Sequence, residues 1–462
     1  MQSPSFPSSS GCPGSGRAVP SRLWRDADFR RLWAGQTASQ LGEHTMLVVL
    51  PLFAVLALDA GAGQLGALRA VGQAPILLLS LLAGALVDRW RARTVMVLTD
   101  AARAVALGSA AVAGLLGLLG LPALFVVAFT VGALSVLFDV AYQASLVRMV
   151  RRDQLVQGNS ALEGSRSAAQ IGGPALGGAL VSLLSAPVAI ASGALFFAVS
   201  FVSLRRIRRA EAVPERKAPV PEHPKRSDRP DLSARPEHPQ RTSRVRHRIH
   251  EGLRFVAGNA WLRAVCLASA AFQFSFAATM TVYLLFLPRE LHLAGATVGL
   301  ALAATGPGAL LGSVLAARLP GRFGHGVVLV SAALLGNGAL LCVPALHGSS
   351  AATVLALLAA NFVFGTFSQL VNVTVMSVRQ AVTPAGMQGR AAATITFVGM
   401  GFTPLGSLLG GFLAQEWGLR SGLLVTAAGM MLSPLLMAAS PLARLGRVLP
   451  GPAGGTAADG TT

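Results

Sequence analysis

The chain has 462 residues, of which 53% are hydrophobic and 12% charged, and its mean hydropathy is +0.60. A soluble protein carries charge on about a quarter of its residues, so one large water-soluble fold is excluded. Lys and Arg outnumber Asp and Glu by 38 to 19, but the excess lies between apolar blocks. No folded basic domain remains to bind nucleic acid.

Residues 1–22 are rich in Ser, Pro and Gly and lack the apolar run of a signal peptide; with the residues up to 30 they read as a disordered cytoplasmic tail. Crossing a bilayer takes about 20 helical residues. Twelve segments meet that length: 33–58, 63–87, 94–118, 123–147, 160–184, 187–206, 262–287, 295–318, 325–346, 351–376, 391–414 and 420–440. The expected fold is an all-α polytopic membrane protein, with twelve transmembrane helices in two six-helix bundles, 31–206 and 251–441. Between them, 207–250 is dense in Pro, Arg, Glu and His; such a segment cannot bury a core and reads as a flexible cytoplasmic linker. From Arg244 to Phe255 the pattern turns amphipathic, with Val245, Ile249, Leu253 and Val256 on one face, as in a helix lying at the membrane interface. Residues 442–462 read as a second disordered tail.

Arginines alternate along the chain. Arg30 and Arg31 precede the first span, Arg91 and Arg93 follow the second, and Arg148, Arg151 and Arg152 follow the fourth, whereas the intervening loops hold few cations. The positive-inside bias puts both termini and the linker in the cytoplasm. Arg-rich, Ala- and Gly-rich composition, with Lys217 and Lys225 the only lysines, points to a GC-rich bacterial gene and hence to the inner membrane.

The halves resemble each other. "VRMVRRDQLVQG" at 147–158 and "VRQAVTPAGMQG" at 378–389 share V-R and Q-G at one spacing, and "GGPALGGAL" at 172–180 matches "GFTPLGSLLGGFL" at 401–413. A repeat of six spans is the arrangement of parallel-repeat secondary transporters, whose sites lie near the midplane.

Ionisable residues inside spans are costly and by default functional. Glu43 and His44 in the first span and Asp139 in the fourth are candidates for proton coupling, since burial favours the neutral form of a carboxyl and brings its titration towards physiological pH. The alternative is a structural carboxyl bonded to a neighbouring helix. Asp139 and Arg166 fall at similar depths on adjacent spans, so an ion pair is expected between them, with Glu163 one turn nearer the surface. Asp100 and Arg103, three apart, face the same way. This group reads as a cytoplasmic-side cluster made and broken during transport, or as static pairing. Arg69 and Gln73 in the second span are candidates for the substrate cavity. The interiors of the second-half spans hold no charge, only amides such as Gln273, Asn337, Asn361, Gln369 and Asn372. These orient a substrate but carry no proton. The asymmetry places proton handling in the first half.

Cys12, Cys266 and Cys342 have no motif spacing, and no P-loop, H-E-x-x-H or G-x-S-x-G sequence occurs. The chain reads as no enzyme, without metal or cofactor.

The loop from Gly84 through Asp88 and Arg89 to Arg93 is similar to the signature loop of the major facilitator superfamily, G-x-L-x-D-R-x-G-R-K/R, although Arg91 replaces its glycine and Ala92 one of its basic residues. Gly173-Pro174-Ala-Leu-Gly177-Gly178 resembles the G-P-x-x-G-G element of the drug:proton antiporters. Together with "FRRLWAGQTASQLGEH", "FDVAYQASLV" and "GNSALEGSRSAAQ", these runs resemble the branch containing siderophore exporters and macrolide-efflux-like proteins, over about residues 29–440. The resemblance implies proton-driven efflux of a small amphipathic molecule by a monomer in the bilayer, with Asp88, Arg89 and Arg93 in a gating loop. An uptake symporter of the same fold and a non-transporting scaffold or sensor are the alternatives.

Overall fold

The computed structural model describes residues 22–87, 91–149, 155–207, 251–384 and 387–450. Regular structure in these residues is entirely helical. The first half comprises α1 (Ala27–Leu56), α2 (Ala62–Val87), α3 (Ala92–Leu115), α4 (Leu121–Met149), α5 (Leu155–Leu183) and α6 (Ala186–Arg205). A short helix at 251–258 leads to α7 (Ala260–Arg289), which starts where Asn259 accepts from the Trp261 and Leu262 amides. Then come α8 (Gly295–Ala303, resumed as Thr305–Ala316), α9 (His325–Leu341) and α10 (Ala351–Val382).

The last two crossings share a helix. Gln388–Gly401 continues as Thr403–Gly429, but Gly418 sits at φ 80° and ψ 165° inside it. Only glycine takes that conformation without strain, and the chain doubles back there. Residues before Gly418 form α11; those after it, with Leu432–Ala438, form α12. A short loop is expected here from sequence, and a one-residue corner takes its place.

Nine helices among the described residues are long and apolar enough to cross a membrane, one of them the doubled Thr394–Ala438. That doubled helix together with α2 and α5 makes twelve crossings. Val105, Val112, Val126, Leu195, Leu310, Leu355 and Phe412 stand exposed along their helices, a surface suited to lipid rather than water.

Order reaches beyond the expected tails. Trp24 packs edge-on against Phe29 and Trp33, and α1 already begins at Ala27. At the other end, Gly446 and Leu445 accept from the His325 and Gly326 amides at 3.0 and 2.9 Å, satisfying the start of α9. In the expected amphipathic segment, Val256 is buried and Leu253 exposed; residues 208–250 lie outside the described set.

α1–α6 pack as one bundle and α7–α12 as the other, meeting along α2 with α11 and α5 with α8. Glycines set both the packing within each half and the meeting between halves. Gly173 and Gly177 seat α5 on α1 beside His44 and Thr45, while Gly178 faces Gly299 of α8. Their counterparts Gly406 and Gly410 seat α11 on α7 beside Phe274 and Ala278, and Gly411 faces Gly66 of α2. A Cβ on Gly178 would stand 2.6 Å from the Gly299 nitrogen, and one on Gly66 2.7 Å from the Ser407 oxygen. Only bare backbone fits at these crossings.

Both crossings lie near the face opposite the one where α1 begins and α12 ends. On that opposite face Arg289 bonds Asp59 at 2.6 Å and the Ala60 carbonyl at 3.0 Å, joining the halves. Arg420 reaches Glu290 at 3.3 Å and the Pro344 carbonyl at 2.8 Å. The molecule is closed there and open towards the terminal face.

Candidate functional site

Two cavities lie near mid-height. The smaller, about 180 Å³, is lined by α1, α2 and α4, with Glu43, Arg69, Gln73, Ser135 and Asp139 in its wall. Glu43 sits midway along α1, and Arg103 midway along α3.

Arg103 is fully buried. It is ion-paired with Asp100, donates to Ser39 Oγ at 3.0 Å and Ser135 Oγ at 3.1 Å, and lies between the rings of Phe138 and Phe197 at 4.6 and 4.3 Å. Asp100 also accepts from Ser200 and, at 3.3 Å, from Ser39. An uncompensated charge at this depth would cost several kcal/mol; the hydroxyls, carboxylate and rings compensate it.

Glu43 is held differently. Its Oε2 lies 3.9 Å from Arg103 Nη1, beyond hydrogen-bond distance, and has no hydrogen-bond partner among the described residues. Its side chain is 26% exposed. Arg103 thus has one tightly bound acid, Asp100, and one loosely held acid facing the pocket. Arg69 Nε and Gln73 Oε1 in the same wall also lack hydrogen-bond partners among the described residues.

The structure corrects several sequence expectations. Among the described residues no ion pair joins Asp139 to Arg166; Asp139 is half-buried, whereas Arg166 and Glu163 are exposed. Both Asp139 and Arg166 remain within electrostatic reach of Glu43. They lie about 15 Å from the Met149 and Leu155 ends of their helices at about 1.5 Å per residue. Asp100 and Arg103 form a buried ion pair, and Arg103 also faces Glu43. Arg93 bonds the Leu204 and Arg205 carbonyls at 3.3 and 2.8 Å, closing the end of α6. His44 is half-buried on the α1 surface that Gly173 packs against. Asp88 and Arg89 lie outside the described residues.

The larger cavity, about 530 Å³, lies mainly within the second half. Its wall runs from Phe276, Thr305 and Phe364 near mid-height to Ala268, Ile395 and Met437 near the terminal ends of their helices. Three rings form a near-parallel stack: Phe272 and Phe276 at 5.5 Å and 10°, Phe276 and Phe364 at 5.6 Å and 11°. Gln273, Gln369 and Asn372 line it, joined by Gln170 of α5. Asn361 does not; it is buried and donates to Tyr283 Oη at 2.7 Å and the Leu357 carbonyl at 2.8 Å, which makes it a packing amide. Arg69 and Gln73 line the smaller pocket instead. Sequence reasoning missed the Phe stack, whose i, i+4 pair on α7 reads as ordinary packing, and missed Ser39, Ser135 and Ser200. No cluster among the described residues could hold a metal ion.

Sequence profiles agree with this architecture. That of the Major Facilitator Superfamily matches residues 32–286, and that of the transmembrane secretion effectors matches 233–448. The multidrug efflux pump Tap of Mycobacterium tuberculosis is 25% identical over 426 residues, covering 87% of this chain and 91% of the pump, and so is Tap of Mycobacterium bovis. Among solved structures, the nucleoside transporter NupG superposes with a TM-score of 0.66 at 12% identity, covering 89% of this chain and 98% of that one. A bacterial homologue of the iron transporter ferroportin, in its inward-facing state, superposes with a TM-score of 0.67 at 17% identity, covering 90% and 98%. With twelve crossings in two six-helix bundles and a profile match over more than half its length, the chain belongs to the Major Facilitator Superfamily and is a multi-pass membrane transporter.

Proposed function

We propose that this transporter exports a small amphipathic molecule in exchange for protons, as a monomer in the bacterial inner membrane with both termini cytoplasmic. The observation that carries the reading is Glu43, an intramembrane carboxylate facing a pocket and held only loosely by a fully buried arginine. Protonating Glu43 removes a negative charge from beside Arg103 and loosens the electrostatic tie between α1 and α3, while Asp100 keeps the guanidinium paired. A proton bound there biases the two states only as far as its affinity for them differs. The second half offers no intramembrane acid to share this task. The efflux activity named for Tap and the antiporter-like Gly173–Gly178 element support export over uptake.

The test uses everted membrane vesicles given an imposed pH gradient and a panel of neutral and cationic dyes. Gradient-driven accumulation inside the vesicles is expected for the native chain and should be lost in Glu43→Gln. Full gradient-driven transport by that variant would remove Glu43 as the proton carrier. Movement of dye in the opposite direction would mark an uptake system instead.

A further inference from the structure

The larger cavity bears on the chemistry of the cargo; the inference rests on the export reading. None of the residues lining that cavity is charged; Glu43 and Asp139 face the other pocket, and Asp100 is buried against Arg103. A permanent charge stacked against a wall without a countercharge gives up part of its hydration and gains no ionic partner. The three near-parallel rings offer flat apolar surface of the kind that favours offset stacking with another ring.

The amides separate into two sets. Asn337 is tied to the Met430 carbonyl and Asn361 to Tyr283. Gln170, Gln273, Gln369 and Asn372, all in the cavity wall, have no hydrogen-bond partner among the described residues. Each offers two donors and an acceptor around a space of about 530 Å³, large enough for one drug-sized molecule.

We infer that the cargo is a flat, uncharged aromatic compound with polar groups on its edge. It stacks on the Phe272–Phe276–Phe364 surface and is hydrogen-bonded by the four free amides, and permanently cationic aromatics are disfavoured.

The test is equilibrium binding to the full chain in lipid nanodiscs, by fluorescence anisotropy. Its two flat probes are 7-amino-4-methylcoumarin, which is neutral, and ethidium, a permanent cation. The coumarin should bind about tenfold or more tightly than ethidium, the difference being the unpaired charge. Phe276→Ala should weaken the coumarin about tenfold through lost stacking and apolar contact. Gln273→Glu should raise ethidium affinity about tenfold by supplying a countercharge, a gain that misfolding cannot imitate. Ethidium binding as tightly as the coumarin, an ethidium affinity unmoved by Gln273→Glu, coumarin binding indifferent to both Phe276→Ala and Phe364→Ala, or binding of neither probe would overturn the inference. Binding needs no gradient. Lost selectivity with export intact would therefore count against the cargo class alone, and selective binding without export against the exporter reading alone.

Discussion

Arg103 is the residue whose surroundings explain most about the first half. Its guanidinium has a carboxylate, two hydroxyls and two ring faces around it, so removing it leaves Asp100 buried and uncompensated. Arg103→Ala should destabilise the protein by about 3–5 kcal/mol, read as a lowered midpoint of thermal unfolding in detergent. Replacing both partners, Asp100→Asn with Arg103→Gln, should recover most of that stability, because no charge is then stranded. The double variant should still fail in gradient-driven transport, since Glu43 has lost its cation. Recovery of transport together with stability would show Arg103 to be purely structural. The positions of Glu43, Asp100 and Arg103 were legible from sequence as charges inside apolar spans. Their division into one tight and one loose acid was not, because it depends on Ser39, Ser135 and Ser200, and serine in a span carries no signal of its own.

At the scale of elements, the glycines of α5 and α11 have two separable tasks. Gly173 and Gly177 hold α5 within its own half, so Gly177→Ala should cost about 1–3 kcal/mol through overpacking against Thr45 and Val48. Gly178 meets Gly299 across the halves, so Gly178→Ala should spare the bundle and hinder closure at the opposite face. Spin labels at Leu118→Cys and His347→Cys, in a background without the native cysteines, should report longer distances in Gly178→Ala than in the native chain. Unchanged distances with loss of folded protein would assign Gly178 to packing alone. The repeat "GGPALGG" against "TPLGSLLGG" was visible in the sequence, and so was the likeness of the halves. The tasks of its glycines were hidden, since residues four apart and residues one further on differ only in which neighbour the fold supplies.

For the whole molecule, the closed face is fastened by few polar contacts. Asp59 is 96% exposed at its side chain, so its bond to Arg289 is screened and shifts the balance of states by about fivefold at most. Asp59→Asn should modestly favour opening on that face, seen as faster alkylation of a cysteine introduced at Leu68, and the exchange Asp59→Arg with Arg289→Asp should reverse the effect. Equal alkylation rates in all three proteins would make the pair incidental. Twelve spans and two halves could be read from hydropathy and arginine placement, because lipid imposes length and charge rules on every crossing. Which face is closed could not, since a single sequence encodes both states and only packing distinguishes them.

The main-chain crossings at Gly178–Gly299 and Gly66–Gly411 have an energetic consequence for turnover. Side chains that interlock lose rotamer freedom each time they meet, a cost of up to about 2 kcal/mol for each long one. Backbone meeting backbone loses none, so at these crossings the cost falls only on the side chains beside the glycines, such as Val181 on Gly295. The closed and open forms can then lie close in free energy, and a weak driving force suffices to exchange them. Under the proton coupling proposed here, that force is about 1.4 kcal/mol for each pH unit across the membrane and about 2.3 kcal/mol for each 100 mV. A seal made of glycine lets a cycle run on steps of that size.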